Sequence, residues 1–161
     1  MTATIDELAD RLSQRSLPGG RVTIEPHEAA IADVALRAVV DPQTAHPVWF
    51  VIASLRGMGI TVDELCVLAE QKDHDALLFG SCEIRQIAPL RVGATYTTTA
   101  AIEGVTSRTT RDGYRLDSLQ VRVVLTEATP DSPRQGKTAE PTGTPVGEVV
   151  SVYLFKRGDP R

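Results

Sequence analysis

The chain reads as an α+β protein in which a long, curved antiparallel sheet wraps around one central apolar helix. Three observations predict this architecture. Residues 48–58, VWFVIASLRGM, are apolar on every helical face except at Ser54 and Arg56, so a helix there is buried on most sides. The pattern then changes to period two over 81–88, 94–107, 114–128 and 147–157, as strands require. Strand runs of about eleven to fifteen residues exceed the usual length and suit a sheet that bends and twists around something.

The elements follow in order. Over 4–15, Ile5, Leu8, Ala9 and Leu12 fall on one helical stripe, with Thr4 as N-cap and Glu7 placed to complete a capping box. Leu17-Pro18-Gly19-Gly20 reads as the end of that segment, and Arg21-Val22-Thr23-Ile24-Glu25 alternates like a strand. A helix is expected from Pro26 toward Val40, although Ala38-Val39-Val40 fits an extended chain equally well. The prolines of Asp41-Pro42-Gln43-Thr44-Ala45-His46-Pro47 exclude regular helix, and Pro47 suits the first position of the central helix. Gly57 and Gly59 close that helix, and Thr61 with Glu64 forms a second capping box. Asp112-Gly113 marks the hairpin turn between the second and third long strands. Residues 129–146, rich in Pro, Gly, Ser and Thr, read as a flexible hairpin loop within one domain spanning 1–161, with 1–20 as an N-terminal helical extension.

Composition narrows the function. The 161 residues carry a formal charge of -4, against the basic face that a nucleic-acid partner normally calls for. No apolar run reaches the ~18 residues of a membrane span, and the N-terminus shows no secretory signal, so a cytoplasmic protein is expected. Cys66 and Cys82 lie in no metal-ligand or redox spacing, and neither a metal nor a cofactor is expected. Arg108, Arg111 and Arg115 form a local basic stripe, read either as a solvated turn or as a contact for the phosphates of a carrier arm.

A buried helix followed by long antiparallel strands is the order of the hot-dog architecture. The segment Phe79-Gly80-Ser81-Cys82-Glu83-Ile84-Arg85-Gln86-Ile87-Ala88-Pro89-Leu90-Arg91-Val92-Gly93-Ala94 resembles the stretch in MaoC-like hydratases and β-hydroxyacyl-carrier dehydratase subunits where a His-Gly pair opens a strand ending in Pro-Leu-x-x-Gly-Asp. Gly80, Pro89, Leu90 and Gly93 keep that spacing, whereas Phe79 stands in place of the His and Ala94 in place of the Asp. The resemblance implies a hot-dog fold, a 3-hydroxyacyl or 2-enoyl thioester of coenzyme A or acyl carrier protein as substrate, and a homodimer or a heterodimer with another hot-dog subunit.

Hydration of an enoyl thioester requires a base for water, an acid for the α carbon and a donor to the thioester oxygen. The family's catalytic Asp and His are separated by four residues, a spacing that Asp41 and His46 reproduce, although Val40, Gln43 and Thr44 depart from the surrounding pattern. A second register sets Ala45-His46-Pro47-Val48-Trp49-Phe50 against the opening of the family's central helix, leaving Asp41 a turn residue and His46 a helix leader. Trp49, Phe50, Phe79 and Gly80 are candidate substrate contacts, with the core as the simpler place for the three aromatics. His27, Glu28 and His74 read as surface, Ser54 as bonded to its own helix, and Cys82 as core. Three functions follow: an acyl-thioester hydratase or dehydratase, a non-catalytic acyl-binding subunit of a heteromeric dehydratase, and a thioesterase. The last is disfavoured because residues 48–58 contain neither Asp nor Glu.

Overall fold

The computed structural model describes residues 3–128 and 143–160. In chain order the elements are α1 (Ile5–Leu12), β1 (Arg15–Thr23), α2 (Pro26–Ala35), α3 (Val48–Gly57), α4 (Val62–Leu68), β2 (Ala76–Gln86), β3 (Thr95–Thr109), β4 (Tyr114–Glu127) and β5 (Pro145–Pro160). The strands form one antiparallel sheet in the order β1-β3-β4-β5-β2. Helix α3 packs on all five strands, so the expected arrangement of a sheet around an apolar helix is what the chain adopts.

Alternation decides which side chains meet α3. Leu119, Val121, Val123 and Leu125 of β4 and Val149, Ser151, Tyr153 and Phe155 of β5 are buried on the inner face. Trp49, Phe50 and Ala53 of α3 fill the space beneath them. Two glycines allow the helix to come this close. A Cβ on Gly147 would stand 2.4 Å from Phe50 Cε1, and one on Gly57 2.5 Å from Thr98 Cγ2, where the Thr98 hydroxyl donates to the Gly57 carbonyl.

Both capping boxes form: Thr4 with Glu7 on α1, and Thr61 with Glu64 on α4. Several boundaries differ from expectation. Helix α2 stops at Ala35, because Arg37 turns to φ 55° and the N–H groups of Arg37 and Ala38 return to the carbonyls of Val34 and Asp33. That is a Schellman cap without glycine. Strand β1 begins at Arg15, six residues before the expected Arg21. Pro18-Gly19-Gly20 is a bulge within the strand, where Gly19 (φ 66°) receives the turn after α3 and donates to the Met58 carbonyl. Strand β2 begins at Ala76 instead of Ser81, with an irregularity at Gly80 where the Leu154 side chain lies against the backbone. The expected hairpin at Asp112-Gly113 joins β3 to β4, with Gly113 at φ 83°. Of the loop expected over 129–146, residues 129–142 lie outside the described residues, and Pro145 and Val146 already belong to β5.

The basic stripe is broken. Arg108 and Arg111 are exposed, but Arg115 falls on the inner face and is buried. Its Nε donates to Asp117 Oδ1 at 2.7 Å, and Arg157 Nε donates to Asp117 Oδ2 at 2.8 Å. Arg157 also reaches Asp75 and the carbonyl of Ala69, while Arg115 reaches the carbonyl of Ala3. One buried polar network thereby ties the N-terminal segment, the end of α4 and two strands together. No helix among the described residues is long and apolar enough to cross a membrane.

Candidate functional site

The loop carrying Asp41 and His46 is held against residues 90–92. Thr44 bridges Arg91, Ala45 N–H donates to the Leu90 carbonyl at 2.8 Å, and Val92 N–H donates to the Gln43 carbonyl at 2.8 Å. The Pro89-Leu90-Arg91-Val92-Gly93 motif therefore serves here as the rail on which the loop runs. Upstream, the buried Asp33 accepts from Asp41 N–H at 3.2 Å, fixing where the loop leaves α2.

Asp41 is exposed, and its carboxylate closes its own turn. Oδ1 accepts from the N–H groups of Gln43 at 2.8 Å and Thr44 at 3.1 Å, and these two backbone donors hold its carboxyl below the usual carboxylate range. His46 is half-buried, and its Nδ1 accepts from Val48 N–H at 3.1 Å. The next two amides are satisfied as well, Trp49 N–H by the His46 carbonyl and Phe50 N–H by the Pro47 carbonyl. The N-terminus of α3 thus presents no vacant amide among its first three residues. No hydrogen bond among the described residues joins Asp41 to His46. The structure places the pair on one loop without uniting their side chains.

The other candidates separate by burial. Trp49 and Phe50 are both 1% exposed and belong to the core, whereas Phe79 on β2 is 52% exposed. Phe79 packs edge-on against Tyr153, ring centroids 5.4 Å apart. Register carries this contact further: Phe79 pairs with Tyr153, Cys82 with Ser151 and Ile84 with Val149, so all three β2 side chains share the inner face with α3. The result is an apolar strip along the outermost strand, with two hydroxyl-bearing residues at its base. Burial raises the Tyr153 phenol above its ordinary value, and the Ser151 hydroxyl donates to the Cys82 sulfur at 3.8 Å. Tyr153 and Ser151 escaped notice in the sequence because β5 shows only alternation, and alternation does not say which face is open.

Among the remaining candidates, Glu28 is paired with Arg56, which also lies 5.5 Å from the Trp49 ring centre. His27 and His74 are exposed. The Ser54 hydroxyl donates to the Val51 carbonyl of its own helix, as expected. No cluster of three or more metal-ligating side chains occurs among the described residues.

Comparison with known proteins places the fold. No family model and no curated protein matches the sequence. Solved structures do match. A chain of the HadBC (3R-hydroxyacyl-ACP dehydratase) complex from Mycobacterium tuberculosis is 10% identical, with a TM-score of 0.59 over 89% of this chain and 98% of that one. A chain of the ChsH1-ChsH2 complex from the same organism is 12% identical, with a TM-score of 0.59 over 98% of this chain and 90% of that one. A thioesterase superfamily member from Thermus thermophilus is 12% identical, with a TM-score of 0.53 over 90% and 83%. A hot-dog-like protein from Thermanaerovibrio acidaminovorans also reaches a TM-score of 0.53, at 10% identity over 95% and 87%. With its strand order and its enclosed helix, the chain has the hot-dog fold.

Proposed function

We propose that this chain is an acyl-thioester-binding hot-dog subunit. It takes a 3-hydroxyacyl or 2-enoyl thioester of coenzyme A or acyl carrier protein along the inner face of β2, and it works beside a second hot-dog subunit, identical or not. The observation that carries this reading is the state of the groups that hydration would need. Asp41 Oδ1 is taken by the amides of Gln43 and Thr44, and His46 Nδ1 and the Val48 amide at the head of α3 are taken by each other. The strip of Phe79, half-buried Cys82 and Ile84 meanwhile leaves Phe79 and Ile84 exposed to an acyl or pantetheine chain, on the sheet face against which α3 packs. The acyl-carrier substrate in the name of the dehydratase neighbour is in line with that ligand class. Thioester hydrolysis fits less well, because α3 carries no carboxylate.

One observation favours hydratase or dehydratase activity as a second reading. Turning His46 away from Val48 would free, in a single movement, a proton-accepting imidazole nitrogen and an amide able to polarise the thioester carbonyl. In that reading the ionised Asp41 orients or activates the water. Incubation with a 2-enoyl-CoA, following the conjugated double bond, separates the two. The binding reading expects no loss of the double bond with the chain alone, and unchanged affinity in His46→Ala. Turnover that disappears in His46→Ala moves the chain to the second reading.

A further inference from the structure

Strand β2 breaks its own alternation once. Phe79 and Cys82 are three residues apart and would stand on opposite faces of a regular strand. The irregularity at Gly80 turns Phe79 onto the face of Cys82, so that Phe79 pairs with Tyr153 and Cys82 with Ser151. Glycine is needed there, because a Cβ would stand 2.9 Å from Leu154 Cδ1. The bulge thereby seats the half-exposed Phe79 ring edge-on against Tyr153.

Of the two hydroxyls at the base of the strip, one is engaged and the other is not. Ser151 donates to the Cys82 sulfur at 3.8 Å. Tyr153 is 4% exposed, yet its hydroxyl makes no hydrogen bond to another described residue. Nor is that hydroxyl sealed in, since the fully buried side-chain atoms without a partner among the described residues are Trp49 Nε1 and Arg115 Nη2. Burial, with Cys82 adding to it, pushes the phenol above its ordinary value, so at neutral pH it meets a ligand as an O–H donor.

We infer that Tyr153 is a specificity-determining residue: its hydroxyl donates to an oxygen at carbon 3 of the chain lying on the strip, selecting 3-hydroxyacyl thioesters over 2-enoyl and saturated ones. The inference rests on the reading of the strip as the thioester site and decides within it. In the free protein the hydroxyl faces solvent. A hydrocarbon chain laid along Phe79 and Ile84 takes that solvent away and leaves the hydroxyl unpaired, whereas an oxygen on the chain restores the bond. The groups beside it offer no substitute, for Phe79 presents a ring edge and the Cys82 sulfur, a weak acceptor, already receives Ser151.

Calorimetric titration of the full chain with 3-hydroxyoctanoyl-CoA, 2-octenoyl-CoA and octanoyl-CoA tests this. Wild type is expected to bind the hydroxyacyl thioester about tenfold more tightly than the other two. Tyr153→Phe removes only the oxygen and is expected to abolish the preference, with weaker binding of the hydroxyacyl thioester and equal or tighter binding of octanoyl-CoA. Ser151→Ala keeps the preference. Equal affinities in wild type, a result that needs no variant, overturn the inference. So does a preference that survives in Tyr153→Phe, or a Tyr153→Phe loss shared equally by all three ligands, which would place the hydroxyl on the thioester carbonyl or in a structural role. Titration with 3-hydroxyoctanoate against octanoate repeats the comparison without a thioester and keeps the two ideas apart. A Tyr153-dependent preference for the hydroxy acid with no binding of any acyl-CoA removes the thioester reading alone. Thioesters bound without that preference remove this inference alone, and no binding of any of these ligands removes both.

Discussion

At the residue scale, the decisive feature is how completely local groups consume one another. Asp41 looked like half of a catalytic pair because its distance from His46 is right, and spacing is what a sequence displays. What it does not display is that Oδ1 already holds two backbone amides. Asp41→Asn keeps an acceptor for those amides and is expected to leave the thermal midpoint near that of wild type at neutral pH, whereas Asp41→Ala lowers it. Equal midpoints for the two variants would show that the turn does not depend on this side chain. Gly147 makes the tightest demand in the core. Gly147→Ala drives a methyl group into Phe50 and the Arg85 carbonyl, so denaturant unfolding should show a loss of about 1–3 kcal/mol, the usual range for overpacking.

At the scale of elements, legibility followed locality. The capping boxes of α1 and α4 and the apolar run of α3 are short patterns, and the structure shows all three. Helix stops without glycine were not visible. Arg37 ends α2 and Glu70 ends α4 in the left-handed region, and nothing in those residue types announces it. The first half of β1 was hidden for the opposite reason: Pro18-Gly19-Gly20 has the composition of a turn, but tertiary contact with Met58 and Gly59 makes it a bulge. Thr61→Ala removes the hydroxyl that receives Glu64 N–H and is expected to cost about 0.5–2 kcal/mol, with the loss appearing first as faster amide exchange in α4.

At the scale of the molecule, the sheet wraps its helix at one end and closes around charge at the other. Asp117 pairs with two buried guanidinium groups, so Asp117→Ala leaves Arg115 without a carboxylate and Arg157 with Asp75 alone, and is expected to destabilise by about 3–5 kcal/mol in urea unfolding. Burial pushes the Asp75 carboxyl up, but the Lys72 amide, Arg157 and the Gly158 amide together bring it below the ordinary carboxylate value. A carboxyl lowered on folding stabilises fully above its unfolded pKa and loses that stabilisation as pH falls through the folded one. The stability difference between wild type and Asp75→Asn should therefore hold at neutral pH and narrow below about pH 4. A difference independent of pH would separate Asp75 from this network's charge. None of it was legible beforehand, since Asp75, Asp117 and Arg157 meet only through long-range strand register.

The apolar strip of β2 is the proposed thioester site, and Trp49, the single tryptophan of the chain, lies in α3, which packs on that strand. A fluorescence titration of the folded protein with 2-enoyl-CoA, against free coenzyme A, tests that claim most directly. The expected result is a saturable change with the acyl thioester that tightens as the acyl chain lengthens and is unaltered in His46→Ala. No saturable change with any acyl-CoA, or one matched by coenzyme A alone, would contradict it.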